Sequence, residues 1–188
     1  MSEYSLEVIR DLVNRKLPWY ILKEMMSAPK DKDRFDKYIK VLQEKVPWKE
    51  RILLPIHEHL YIVEKNGEAI VKAKCGYEFG DYRENWLLKT LIYVRDTPEK
   101  FREVYPILAT HEPKLQELRE HICPGCGAML YVYGINPGGM VNFLFLPDLG
   151  SFYNDWLGKP IPGVKDQSKG VQDKTIEMIK KWVEKEKK

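Results

Sequence analysis

Apolar residues recur with helical spacing through the first part of the chain, from residue 4 to residue 46. Side chains three or four positions apart share one face of a helix, so each recurrence predicts a helix with one buried side. Pro18 is well placed to begin the second helix, and Pro47 ends the third. The three stripes are Leu6, Ile9, Leu12 and Val13; Trp19, Ile21, Leu22, Met25 and Met26; and Phe35, Tyr38, Ile39, Leu42 and Val46.

Short helices are stable only when they pack against other elements, and two arrangements would provide such packing. The helices could form a small bundle on the main domain, or they could lie on another subunit. The pattern leaves both open, and we take residues 1–50 as an N-terminal helical docking arm.

The apolar period changes after residue 51 to one typical of β-strands. Residues 59–65 and 68–74 flank Asn66-Gly67, the strongest short signal for a β-hairpin. The later pattern is less regular and predicts strands over residues 86–94, 129–133 and 141–146, short helices over 98–104 and 114–121, and a last helix over 172–184. We therefore assign residues 51–158 to a β core and residues 159–188 to a linker and C-terminal helix.

The three cysteines of the chain fall in two short motifs that favour a metal site. Cys123 and Cys126 bracket Pro-Gly, which is the spacing of a metal-binding knuckle, and Cys75-Gly76 is typical of half of a second knuckle. We predict that the three thiolates bind one structural zinc ion that joins two hairpins. Small sheets bury little apolar area, so a metal link is physically useful. The predicted fold class is α+β, with a small zinc-ribbon-like antiparallel β core, an N-terminal helical arm and a C-terminal helix.

A redox Cys-x-x-Cys pair is the main alternative for Cys123 and Cys126. That chemistry needs a helix N-terminus after the motif to lower the pKa of the thiol, whereas residues 128–133 have a strand-like pattern. A fourth zinc ligand must come from elsewhere in the chain. Asp148 and His59 are candidates, although Asp148 is also typical of a turn or helix cap, and His57 is interpreted as a surface residue.

Composition narrows the function classes. The chain has 188 residues, 44% of them hydrophobic and 31% charged, with a formal net charge of +3. The small net charge, and the mixture of Glu78, Asp81 and Glu84 around Arg83, argue against a nucleic-acid-binding zinc ribbon. That function stays as an alternative, as does a protein-interaction module.

No apolar run approaches the ~20 residues of a membrane span, and the polar start does not suggest a signal peptide, so we expect a cytoplasmic protein. We find no phosphate loop or catalytic triad, which favours a non-catalytic role.

Several stretches together resemble the gamma subunit of acetone carboxylase, whose family includes the small subunit of acetophenone carboxylase. The similarity extends over roughly residues 5–162, and the C-terminal helix is an extension beyond it. The stretches that carry it are residues 27–31, 42–44, 46–48, 75–86, 94–97, 123–127, 147–148, 152–153 and 156–158.

The resemblance implies that this chain is the small subunit of a ligase. In that enzyme the small subunit assembles with two large subunits, alpha and beta, into a heterohexamer. That complex carboxylates acetone or a related ketone with ATP and bicarbonate to a β-keto acid, with ATP and manganese held by the large subunits. It also implies zinc on Cys75, Cys123 and Cys126, and it favours Asp148 over His59 as the fourth ligand. Relatives can carry further Cys and His near the first knuckle, where this chain has Ala73, Tyr77 and Gly80, so a different ketone or a hydantoin-like substrate stays open.

Overall fold

The computed structural model describes residues 4–106 and 111–186, which form two antiparallel sheets and six α-helices. This confirms the predicted α+β class. The polar start at residues 1–3, on which the signal-peptide argument rests, lies outside the described residues. The elements in chain order are α1 (Leu6–Val13), α2 (Trp19–Ser27), α3 (Arg34–Gln43), β1 (Ile52–His57), β2 (Leu60–Lys65), β3 (Glu68–Ala73), β4 (Glu78–Asp81), a 3₁₀ turn (Trp86–Lys89), β5 (Leu91–Arg95), α4 (Pro98–Arg102), β6 (Glu117–Ile122), β7 (Met129–Ile135), α5 (Leu149–Ser151), a π-type turn (Phe152–Trp156) and α6 (Thr175–Glu186).

The first three helices form a layer on one face of the first sheet. Each contributes one buried side chain to a shared cluster of Ile9, Met25 and Val41. Leu42 of α3 then packs with Tyr61 of β2 and its neighbours on the sheet. The predicted boundary near residue 50 stays a prediction, but α1 and α3 already have packing partners within this chain.

The first sheet has the order β1-β2-β3-β4 and is antiparallel throughout. The predicted hairpin is confirmed, with Leu60 opposite Ala73 and positive φ angles of 55° at Asn66 and 86° at Gly67. Alternate residues of β2 face opposite sides of the sheet. Tyr61 lies toward the helices, and Ile62 lies toward the main core on the other side, which also contains Leu130. Burial of both faces explains why the first four residues of β2, Leu60 to Val63, are all apolar.

The second sheet has the order β5-β6-β7, and its hairpin end enters the main core. Cys123 and Leu130 pack there against the apolar residues of the first sheet. The π-type turn closes the same core, because the Tyr153 hydroxyl donates a hydrogen bond of 2.8 Å to the Leu53 carbonyl. The two sheets therefore meet at the position of the cysteines.

One predicted strand is right only over its second half, and two predicted elements are wrong. Residues 86–94 are a 3₁₀ turn followed by β5, because the Asn85 side chain caps the turn by accepting from the Leu87 N–H. The helix predicted over residues 114–121 is absent. Residues 117–122 form the central strand β6, because pairing with β5 and β7 outweighs the helical propensity of the sequence. Residues 141–146 form no strand with any described residue.

The other short helices agree with the pattern. α4 begins with Pro98 after the N-cap Thr97, and α6 occupies most of the predicted last helix. Across the described ranges, no helix combines the length and the apolar character that crossing a bilayer requires.

Candidate metal centre

Cys75 lies in the tight turn that joins β3 to β4. Two backbone hydrogen bonds close this turn, from the Ala73 N–H to the Tyr77 carbonyl at 2.7 Å and from the Gly76 N–H to the Ala73 carbonyl at 2.9 Å. Gly76 has a φ of 103°, which L side chains rarely adopt, so glycine is required there. The turn holds the Cys75 side chain at the end of the first sheet.

Cys123 and Cys126 lie in the turn that joins β6 to β7. The Cys123 N–H donates to the Ala128 carbonyl at 2.9 Å, and the Gly127 N–H donates to the Cys123 carbonyl at 3.0 Å. Gly127 has a φ of 72°, again in the left-handed region. The predicted knuckle is therefore present in the structure, at the end of the second sheet.

The structure brings the three sulfurs together. All three lie within 4.8 Å of one another, and the Cys75 and Cys123 Sγ atoms are 3.7 Å apart. Zinc binds thiolates at about 2.3 Å, so two sulfurs on a tetrahedral ion lie about 3.8 Å apart. The three cysteines thus fit a tetrahedral zinc ion, with one further position for a fourth donor.

Gly125 allows the two turns to approach this closely. A Cβ at this position would lie 2.9 Å from the Tyr77 Cβ and 3.1 Å from the Cys75 Sγ. Distances this short force neighbouring atoms to move, so the motif needs glycine here to seat Cys75. The Cys123 motif is therefore shaped by its contact with the first sheet as well as by its own turn.

The surroundings of the sulfurs favour metal binding over redox chemistry. Burial raises the pKa of the Cys123 thiol to about 11, although the N–H groups of Gly125 and Cys126 point toward its sulfur and act in the opposite direction. The Ala128 N–H lowers the pKa of Cys126. A redox pair needs an exposed, acidic first cysteine before a helix, whereas Cys123 is 1% exposed and β7 follows the motif.

Trp48 supports the first turn and was not identified from the sequence. Its Nε1–H donates to the carbonyls of Ala73 and Lys74, both at 3.2 Å. The Lys72 ammonium lies 5.3 Å from the centre of the Trp48 ring. In the sequence this tryptophan belongs to one of the stretches that carry the family resemblance, residues 46–48, but no spacing rule connects it with residue 73.

Lys72 and its carboxylates form a second support beside the Cys75 turn. Lys72 is 4% exposed and pairs with Glu50 and, at 3.0 Å, with Glu78. Burial lowers the pKa of Lys72, but the hydrogen bonds to these carboxylates outweigh it, so the pKa is raised. Glu78 also pairs with Lys65, while Arg83 binds Asp81.

Asp148 is the predicted site residue that the structure does not bring to the sulfurs. Its carboxylate caps the start of α5, accepting from the Ser151 N–H at 3.0 Å and the Ser151 hydroxyl at 2.8 Å. It also accepts from the Gly170 N–H at 2.8 Å. Within the described ranges the sulfur cluster contains neither Asp148 nor His59, so the fourth ligand stays a prediction.

Comparison with known proteins identifies the family of this chain. The family profile described as "Acetone carboxylase gamma subunit" matches residues 46–157, a range that contains all three cysteines, Trp48 and Asp148. A curated relative, the acetone carboxylase gamma subunit of Xanthobacter autotrophicus, is 40% identical over 161 residues, which cover 85% of this chain and 96% of the relative. The chain therefore belongs to the acetone carboxylase gamma subunit family.

Proposed function

We propose that this chain is the small, non-catalytic subunit of an ATP-dependent ketone carboxylase. Its larger alpha and beta partners would hold ATP and manganese and would convert acetone or a related ketone, with bicarbonate, to a β-keto acid. Family membership over most of the chain is the observation that carries this proposal. The described side chains around the cysteines support a structural role, because they form turns, caps and ion pairs.

The proposed metal role is a structural link between the two sheets. Cys75 belongs to the turn of the first sheet, and Cys123 and Cys126 belong to the turn of the second. A bound zinc ion would supply a link between these thiolates that the short strands do not provide themselves. Asp148 remains the proposed fourth ligand, and it would have to leave its capping position to bind.

The proposed docking surface is the exposed side of α2, which we call the α2 face and which consists of Trp19, Tyr20, Lys23 and Met26. Trp19 is 69% exposed, Tyr20 71% and Met26 73%. Large aromatic side chains are the typical anchors of protein interfaces, and isolated subunits rarely leave several together in water. Trp156, which is 82% exposed on the π-type turn, is a second proposed anchor.

The charges around the α2 face indicate the partner's chemistry. Lys23 belongs to the face, and three more lysines lie within five residues of the ends of α2 along the chain. None of the four has an ion pair to a described residue: Lys16, Lys23, Lys30 and Lys32. A partner surface that is apolar at its centre and acidic at its rim would match them. We therefore place a large carboxylase subunit with such a surface on the α2 face.

Co-purification from the host tests this function. The full chain carries an affinity tag, and we expect two larger proteins in a fixed ratio, with acetone consumption that depends on ATP and bicarbonate. Trp19→Ala should weaken this association, whereas Trp182→Ala, on α6 outside the matched range, should not. Purification of the chain alone, or with nucleic acid or ribosomal proteins, would contradict the proposal.

A further inference from the structure

Residues 140–146, which we call the 140–146 segment, have the sequence of a strand but pair with no strand among the described residues. Their composition is Met-Val-Asn-Phe-Leu-Phe-Leu, which includes one β-branched residue and two phenylalanines, residue types that favour strands. Exposure alternates from Met140 to Leu144, with every second side chain exposed and the others half-buried. A period of two is the signature of strand geometry.

The segment exposes a large apolar surface that carries no charge. Met140 is 82% exposed, Leu144 51% and Phe145 52%. From Gly134 to Pro147 the chain contains no charged residue, although charged residues make up 31% of the whole sequence. Strands that remain at an open sheet edge are usually protected by lysine or other charges, and this segment lacks that protection.

Most backbone N–H and carbonyl groups of the segment have no hydrogen-bond partner among the described residues. Across the described ranges, the N–H groups from Met140 to Leu146 donate no hydrogen bond, and Val141 contributes the one carbonyl that accepts one. That bond, 3.0 Å long, comes from the side chain of Asn85, which is 1% exposed and therefore fixed. Backbone groups between apolar side chains need partners once water is excluded.

We propose that the 140–146 segment joins the edge of a β-sheet in a large carboxylase subunit as an added strand. This inference rests on the proposed function, because the occupant is the partner named there. An added strand would satisfy the free N–H groups, and the partner's sheet and its cover would bury Met140, Leu144 and Phe145.

A second copy of this chain fits the segment less well. Two such segments paired with each other would form a two-stranded ribbon, which is marginally stable in water. The outer face of that ribbon, with Met140 and Leu144, would remain exposed. A partner that already has a sheet can supply both the hydrogen-bonding edge and the apolar cover, and its edge strand should be uncharged to match the segment.

The contact with Asn85 defines which edge is free. In a strand, the N–H and carbonyl of one residue point to the same side, and the next residue points to the opposite side. The Val141 carbonyl faces its own chain through Asn85. The backbone groups of Asn142 and Leu144 therefore form the edge available to the partner.

Hydrogen–deuterium exchange of the full chain, alone and in the purified complex, tests the inference. Peptides that cover the segment should exchange rapidly in the isolated chain and at least about tenfold more slowly in the complex. A complex in which these peptides exchange as rapidly as in the isolated chain would overturn the inference while leaving the proposed function intact. Failure to form any complex would overturn both. Slowing in the isolated chain that grows with its concentration would instead identify a second copy as the occupant.

Two variants of one residue separate backbone pairing from side-chain burial. Leu144→Ala shortens the side chain and keeps the N–H, whereas Leu144→Pro also removes the donor. We expect Leu144→Pro to bind the large subunits about fivefold to tenfold more weakly than Leu144→Ala, the effect of one lost hydrogen bond. Equal affinities would contradict strand addition, and so would a much lower melting temperature of isolated Leu144→Pro than of isolated Leu144→Ala.

Discussion

Replacing Trp48 with phenylalanine isolates the hydrogen bonds that the indole makes to the Cys75 turn. The substitution keeps an aromatic ring between Lys72 and Tyr61, whose ring centre is 5.8 Å from that of Trp48. It removes the indole N–H that donates to the carbonyls of both Ala73 and Lys74. The turn that holds the Cys75 thiol then loses its side-chain support.

The expected cost follows from these contacts. Loss of a hydrogen-bond donor costs about 1 kcal/mol, and water partly replaces it because Trp48 is only half-buried. Phenylalanine also weakens the cation–π contact with Lys72 by about 0.5–1 kcal/mol. We expect Trp48→Phe to lower the free energy of unfolding by about 1–2 kcal/mol, or the melting temperature by about 2–8 °C.

Two assays on the isolated, zinc-loaded chain measure this effect. Thermal unfolding gives the change in stability, and the rate of zinc transfer to a colorimetric chelator should rise in the Trp48→Phe variant. Trp156→Phe is the matched control, because Trp156 is 82% exposed and its indole makes no hydrogen bond to a described residue. The control should change stability by less than about 0.5 kcal/mol.

The reasoning is refuted if the two variants behave alike. Equal melting temperatures and equal rates of zinc release would mean that the hydrogen bonds of Trp48 do not support the metal turn. Lower stability of Trp48→Phe with an unchanged zinc-release rate would mean that Trp48 stabilises the fold but not the metal centre.

Three further predictions concern the candidate metal site, an ion pair of the N-terminal helices and the Asp148 cap. Gly125→Ala places a methyl group 2.9 Å from the Tyr77 Cβ and should cost about 1–3 kcal/mol and weaken zinc binding in chelator competition; wild-type affinity would show that the two turns are not in close contact. The pKa of the Asp31 carboxyl is lowered, because hydrogen bonds from a backbone N–H and an arginine outweigh the opposing effect of burial. Its contribution to stability is present above its usual pKa and is lost as the pH falls through the lowered value, so the difference in melting temperature between wild type and Asp31→Asn should narrow below about pH 4, and a constant difference would contradict this. Asp148→Ala should lose a cap worth about 1 kcal/mol and, because Asp148 is the proposed fourth ligand, should also bind zinc more weakly in chelator competition, whereas a folded variant with wild-type zinc affinity would show that Asp148 is not a ligand.

Local patterns were sufficient where one short stretch determines the structure. Asn66-Gly67 specifies its hairpin because both positions need a positive φ, which is what the structure has. The first three helices were predicted from apolar spacing alone. Residues 114–121 failed for the opposite reason, because their helical composition is outweighed by strand pairing on both sides of β6.

The candidate site was predictable only in part. The spacing of Cys123 and Cys126 and the glycine after Cys75 indicated that the three thiols would come together, and the structure places their sulfurs within 4.8 Å of one another. The support from Trp48 and the close approach at Gly125 depend on contacts between the two turns and their surroundings, which no local pattern encodes. The fourth ligand depends on such contacts as well, so the spacing of the cysteines alone does not identify it.

The central claim is that one metal ion links the two sheets through Cys75, Cys123 and Cys126. The most direct test is to purify the full chain without chelators and to measure its metal content by mass spectrometry together with the number of thiols that react with Ellman's reagent. We predict one zinc ion per chain and thiols that become reactive only when the zinc is removed. A folded chain without zinc, whose thiols react freely, would contradict the claim.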